Sequence, residues 1–433
     1  MKTLTRWIVM AACVAALALS AAAQTPWAVP GANGVPHNVY IRHVDRTVLG
    51  EDVAHYSFDV VVGPGKHDVI RLHRIVREKH PYHPIHTVTG VFLLPGNPNS
   101  FEMIFMEPLI SQAVAWDHSI TAFLAQKNID VWGMDYRWSL VPASTKNFKF
   151  MKHWGLERDV EDTEIALSLA RAIRGMTGQG FAKLHLLGFS YGVFMTYAVG
   201  SQETEVPYFR RNVKGLIPVD YSMVYAADDP FRAEACNYIA YDQGRLDAGV
   251  YNDDNTSLKQ IGDLARSAPG DPSPFADGFT NYQFALFVGG SPVHPDDWHF
   301  VGVAYDASGI PTGLQYTDPW LWIDVLRAAP PYAPVMADLD TDKVGCYDVV
   351  APFDDHLGEI SLPILYVGAG GGTGEHGYYT LTLTGSTDIT KFTVHPQPAQ
   401  PRPLDFGHAD LFTAQNAETL VWQPILDWLV AHR

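Results

Sequence analysis

LLGFSYGVF, residues 186–194, is the stretch on which the fold turns. An apolar run enters Gly188, Ser190 stands between Gly188 and Gly192 in the spacing G-x-S-x-G, and a second apolar run leaves. In a chain with 36 glycines that pentapeptide carries little weight alone. Its setting adds the weight: AKLHLLGFS (182–190) reads as a buried strand, and a helix with few breakers begins near Tyr191. Glycines at such a corner let strand and helix pack where side chains would collide. The serine oxygen then projects above the sheet, near the positive end of the helix. The competing reading is a tight turn with an incidental serine.

An alcohol is a weak nucleophile at neutral pH and needs a base within hydrogen-bond reach. His408, in DFGHADLF (405–412), follows the last predicted strand and precedes the final helix, so a turn there brings an imidazole to the top of the sheet. His376 and His395 are weaker competitors, read as loop residues. The acid that orients the histidine is expected from a strand end between the serine and the histidine. Two carboxylates qualify: Asp220, closing VKGLIPVD, and Glu375, in the glycine run GAGGGTGEHG. Asp220 is preferred, because a glutamate among glycines is poorly held and catalysis needs a locked partner. An oxyanion needs two backbone N–H groups. Those of Tyr191 and of Asn97, in LLPGNPNSF (93–101), are the candidates.

Elsewhere, DVAHYSFDVVVG (52–63) and DVIRLHRIVREK (68–79) read as two strands around a Gly-Pro-Gly turn. A buried strand is expected at 87–96, further strands at 129–138, 213–221, 362–370 and 388–396, and helices at 112–126, 155–175 and 416–430. Alternating strands and helices imply a mostly parallel central sheet covered on both faces, an α/β fold. From 222 to 357 the rhythm breaks into a stretch rich in aromatics, Asp, Pro and Gly, expected to lie over the carboxyl ends of the strands. The expected organisation is a leader at 1–23, a first core part at 24–221, a cap or insertion at 222–357 and a second core part at 358–433.

At this point the chain resembles the α/β-hydrolase fold family over residues 85–220 and 360–433, with 222–357 in the place of that family's variable cap. The resemblance implies a serine esterase or lipase-like enzyme with Ser190 as nucleophile and His408 as general base, then general acid. Asp220 or Glu375 would be the orienting acid, and Asn97 and Tyr191 the oxyanion hole. The PGNP of Pro95–Pro98 is similar to the GNPG loop of a lipid-ester hydrolase subset, with Asn99 in place of the final Gly. A serine at the elbow argues against members that use an aspartate nucleophile. The implied substrate is a small-molecule ester, and the aromatics of 222–357 (Trp298, Trp320 and Trp322 among them) suit an apolar acyl or aryl group. No metal or organic cofactor is expected. Acyl transfer by the same residues, amide or peptide cleavage, and a non-catalytic binding protein on this fold are the alternatives.

The remaining signals concern location and bonding. MKTLTRWIVMAACVAALALSAAAQ has a short basic start, an apolar run and a small-residue site, the pattern of a signal peptide cut before Gln24. The expected product is secreted or periplasmic, with no transmembrane anchor. Losing Lys2 and Arg6 moves the formal charge from −17 to −19, which disfavours nucleic acid and anionic membranes as partners. Cys236 and Cys346 are then the only cysteines, free or bonded to each other. His80, His83 and His86 sit in a proline-rich extended loop, and DLDTDKVG (338–345) reads as a solvated acidic turn; neither is read as a metal site.

Overall fold

The computed structural model describes residues 39–398 and 402–433, so the expected leader lies outside the described residues. The main sheet contains β1 (Tyr40–Gly50), β2 (Val53–Val61), β3 (Val69–His80), β4 (Thr89–Leu94), β5 (Ile129–Asp135), β6 (Leu184–Phe189), β7 (Val213–Val219), β8 (Ile364–Ala369) and β9 (Ile389–Val394). Their spatial order is β1-β2-β3-β5-β4-β6-β7-β8-β9, and a short His83–Pro84 strand pairs with β3. From β5 to β9 every pairing is parallel, whereas β1, β2 and β3 form an antiparallel extension that joins β5. Every residue of β4, β5, β6 and β8 is buried, as continuous apolar runs require in a sheet covered on both faces.

The helices are α1 (Phe101–Phe105), α2 (Ile120–Gln126), α3 (Leu156–Met176), α4 (Tyr191–Thr204), α5 (Pro230–Asp247), α6 (Thr256–Ser267), α7 (Asn281–Gly290), α8 (Pro319–Ala328), α9 (Val335–Cys346), α10 (Tyr378–Leu383), α11 (Asp410–Thr413) and α12 (Gln423–Ala431). One core cluster packs Trp132, Val160, Met195 and Tyr197 together. The other joins Phe101, Ile217, Val367 and Phe412 to Ile261, Leu286, Trp322 and Leu326 of the 222–357 stretch, so that stretch packs into the core rather than resting on its surface. A buried ion pair fastens β3, β5 and α3: Arg74 donates to both Asp130 oxygens at 2.9 Å, and Arg174 Nε to Oδ2 at 3.0 Å. Removing one partner of such a pair costs about 3–5 kcal/mol.

Four expectations change. The helix expected over 112–126 begins only at Ile120, because Ser119 caps it, its side chain accepting from the Ala122 N–H. The final helix opens with a wide π-type segment, Glu418–Trp422, before α12; Pro424 has no N–H to continue the regular ladder. The antiparallel strand β1 was not foreseen. The supposed acidic turn 338–345 lies inside α9, with Val335, Ala337, Leu339 and Val344 buried. There Asp340 Oδ2 accepts the Leu156 N–H at 3.0 Å, so it satisfies the start of α3 instead of facing solvent. Cys236 of α5 and Cys346 at the end of α9 form a disulfide. Among the described residues no helix is long and apolar enough to cross a membrane.

Candidate active site

Ser190 sits at the junction of β6 and α4 with φ 57° and ψ −120°, a conformation that L residues rarely adopt. The crowding around it explains the glycines. A Cβ on Gly188 would lie 1.9 Å from the Gly192 carbonyl oxygen, and one on Gly192 would lie 2.5 Å from that of Leu94. As the first residue of α4, Tyr191 has an N–H with no intrahelical acceptor. The loop after β4 comes close from the other side: a Cβ on Gly96 would be 2.6 Å from Ser190 Cβ and 3.0 Å from its Oγ. Asn97 follows directly, its side-chain Nδ2 donating to Asp338 Oδ1 at 3.3 Å.

Asp220 directly follows β7, fully buried and also at positive φ, 52°. Its Oδ1 accepts the N–H groups of Ala369 and Gly374 at 2.8 Å each, and its Oδ2 accepts that of Thr373 at 3.2 Å. The loop after β8 therefore wraps a cradle of backbone donors around one carboxylate. Oδ2 also accepts the His408 Nδ1–H at 2.7 Å. With that proton on Nδ1, the neutral ring carries its lone pair on Nε2. His408 is 1% exposed, and Nε2 has no hydrogen-bond partner among the described residues. Ser190 caps α4 with no side-chain bond, and no hydrogen bond joins its Oγ to His408 here. Such contacts are often long without substrate.

Aromatic packing sets the imidazole plane. Phe189, the neighbour of Ser190, stacks on His408 with ring centres 4.3 Å apart, and Trp298 meets the ring edge-on at 5.2 Å. The 222–357 stretch also grips the histidine turn through its backbone: His408 donates to the His299 carbonyl at 2.9 Å and Ala409 to that of Phe300 at 2.7 Å. His299 N–H in turn donates to the Gly371 carbonyl at 2.9 Å. Buried Asp410 closes the same joint, its Oδ2 accepting from the N–H groups of Gly302 at 2.9 Å and Gly407 at 2.8 Å. Desolvation pushes its carboxyl up to about 7.

Of the residues singled out in the sequence, the structure brings Asp220 and His408 into direct contact and sets Gly96, beside Asn97, against Ser190. Glu375 is exposed and makes no side-chain hydrogen bond among the described residues. His376 bonds to Asp229 at 2.8 Å and Asp296 at 2.9 Å, and His395 to Asp405 at 2.9 Å, so both are engaged elsewhere. Sequence reasoning missed the cradle around Asp220. Its signal was the glycine run 370–372, which marks close backbone approach. It named Trp298 among the aromatics of 222–357 without its contact to His408, and it missed His299 and Phe300, which no local pattern ties to residues more than a hundred positions away.

Comparison with solved structures places this arrangement on a known fold. A candidate lipase from Sulfolobus solfataricus is 20% identical, with a TM-score of 0.60 over 90% of this chain and 100% of that one. A monoglyceride lipase from Saccharomyces cerevisiae is 10% identical, with a TM-score of 0.46 over 91% of this chain and 96% of that one. No protein-family model matches the sequence, and no curated protein matches it. The first likeness, together with the sheet order, shows the fold: this chain has the α/β-hydrolase fold.

Proposed function

We propose that this α/β-hydrolase-fold chain is an exported serine hydrolase that cleaves carboxylic esters through an acyl-enzyme on Ser190. The observation that carries the reading is the 2.7 Å bond from His408 Nδ1–H to a carboxylate, Asp220, itself held by three backbone N–H groups. A histidine so oriented keeps Nε2 unprotonated, as a general base requires. In the proposed reaction Ser190 Oγ attacks the ester carbonyl and passes its proton to His408 Nε2. The N–H groups of Tyr191 and Asn97 hold the resulting oxyanion. Its collapse breaks the C–O bond to the alcohol, which leaves with the proton from His408. Water then attacks the acyl-enzyme by the same route and releases the acid.

Tyr221, Trp298 and Phe300 around the His408 ring support an apolar acyl or aryl group on the substrate. A fluorophosphonate probe tests the assignment. The expected result is a single adduct on Ser190, absent in Ser190→Ala, and loss of esterase activity in His408→Ala. A folded wild-type protein that takes no label at Ser190 would sink the proposal.

A further inference from the structure

We infer a second site on this chain: a divalent transition-metal site of the zinc type, built from His55, His73 and Glu102. One coordinating atom from each of the three lies within 4.8 Å of the others. The strand register explains why the imidazoles meet. His55 is paired with Ile75 and His73 with Ser57, so the two histidines are same-face diagonal neighbours on β2 and β3. His55 Nε2 and His73 Nδ1 share a hydrogen bond at 2.9 Å, which an ion bound between them would replace. Tetrahedral zinc with Zn–N near 2.0–2.1 Å separates its ligand atoms by about 3.3 Å, so the imidazole pair need widen by only a few tenths of an ångström, with the Glu102 carboxylate drawn in from within 4.8 Å.

The surroundings have the form that metal-binding histidines need. His73 Nε2 bonds to Asp135 Oδ2 at 3.1 Å, so the ion would take Nδ1 in place of its hydrogen bond to His55, and Asp135 Oδ1 is itself fixed by the Phe101 N–H at 2.7 Å. A carboxylate behind a ligating imidazole is the usual outer partner. Phe101 stacks on the His73 ring with centres 4.4 Å apart and holds its plane. Glu102, on α1, brings a carboxylate that makes no side-chain hydrogen bond among the described residues. Two nitrogens and one carboxylate suit zinc better than calcium or magnesium. Arg71, the nearby cation, is paired with Asp59 at 2.9 Å. The other cluster of possible donors, Cys236, Cys346 and Asp348, is spent in the disulfide. Because α1 directly follows the loop carrying Asn97, the ion would tie that loop to the antiparallel extension.

The test uses the full-length protein dialysed against chelator and titrated with Zn2+ by calorimetry, with unfolding temperature measured in parallel. One equivalent per chain is expected at a Kd of about 1 µM or tighter, with Tm raised by about 3 °C at a hundredfold excess over Kd. Glu102→Gln, close to isosteric, is expected to weaken binding at least about tenfold. His55→Gln does the same, and His83→Ala, at an exposed histidine of the short strand beside β3, leaves binding unchanged. No binding up to about 1 mM Zn2+ would overturn the inference, as would binding indifferent to Glu102→Gln or abolished by His83→Ala.

Discussion

The replacement Asp220→Asn isolates what the buried carboxylate does. Asparagine can keep its carbonyl on the Ala369 and Gly374 N–H groups, both at 2.8 Å, only by turning its NH2 toward His408. The opposite orientation aims NH2 at two buried N–H donors, at about 1–3 kcal/mol for each group left unsatisfied. The first orientation therefore wins. His408 Nδ1 must then accept rather than donate, and the ring proton moves to Nε2. The lone pair that should take the Ser190 proton is gone. In a Ser-His-Asp site that change is worth about 10⁴-fold in kcat, or about 5 kcal/mol at 1.36 kcal/mol per decade. Stability should fall by only about 1 kcal/mol, from the weaker 3.2 Å bond to Thr373 N–H. Hydrolysis of a chromogenic short-chain ester measures kcat and KM, and urea unfolding measures the rest. The expected result is a kcat loss of about 10³–10⁴-fold with KM within about threefold, while Glu375→Gln stays near wild type. A loss below about tenfold for Asp220→Asn, or a larger one for Glu375→Gln, would refute the reasoning.

Two further outcomes follow from the packing. The chain from Gln24 onward, denatured without reductant, should show no free thiol on Ellman titration. Replacing Cys236 and Cys346 together with serine should destabilise it by about 2–5 kcal/mol, because the bond closes a loop with a sequence separation of 110 residues. Asp159 is buried on α3, accepts the Tyr191 hydroxyl at 2.8 Å, and is pushed up to about 7 by desolvation. A carboxyl raised from 3.8 contributes stability that is fully present below pH 3.8 and lost as pH rises through about 7. Between pH 4.5 and 7.5, Asp159→Asn should therefore gain about 3 kcal/mol relative to wild type, measured by urea unfolding at both pH values. A constant difference would contradict the buried, proton-binding state.

Much of the site was legible because its signals are local. Gly188, Ser190 and Gly192 announce an elbow wherever a buried strand runs into a helix, and the continuous apolar runs of β4 through β8 could belong only to a covered parallel sheet. The expectations that changed have local causes of another kind. A serine at 119 caps a helix that apolar spacing alone would start earlier. Aspartates 338, 340 and 342 look like a solvated turn until α9 buries its apolar face and offers Asp340 a backbone donor in α3.

The sequence by itself determined the kind of fold, the strained serine and the histidine turn, because each depends on residues within a few positions of one another. It left the choice of carboxylate between Asp220 and Glu375 as a preference. Only the tertiary structure decided which of them meets His408, since that depends on where the ends of β7 and β8 lie side by side. The same holds for the grip of residues 298–302 on the histidine turn and for the meeting of His55, His73 and Glu102. Those contacts arise from strand register and chain crossing, and no local spacing in the chain encodes them.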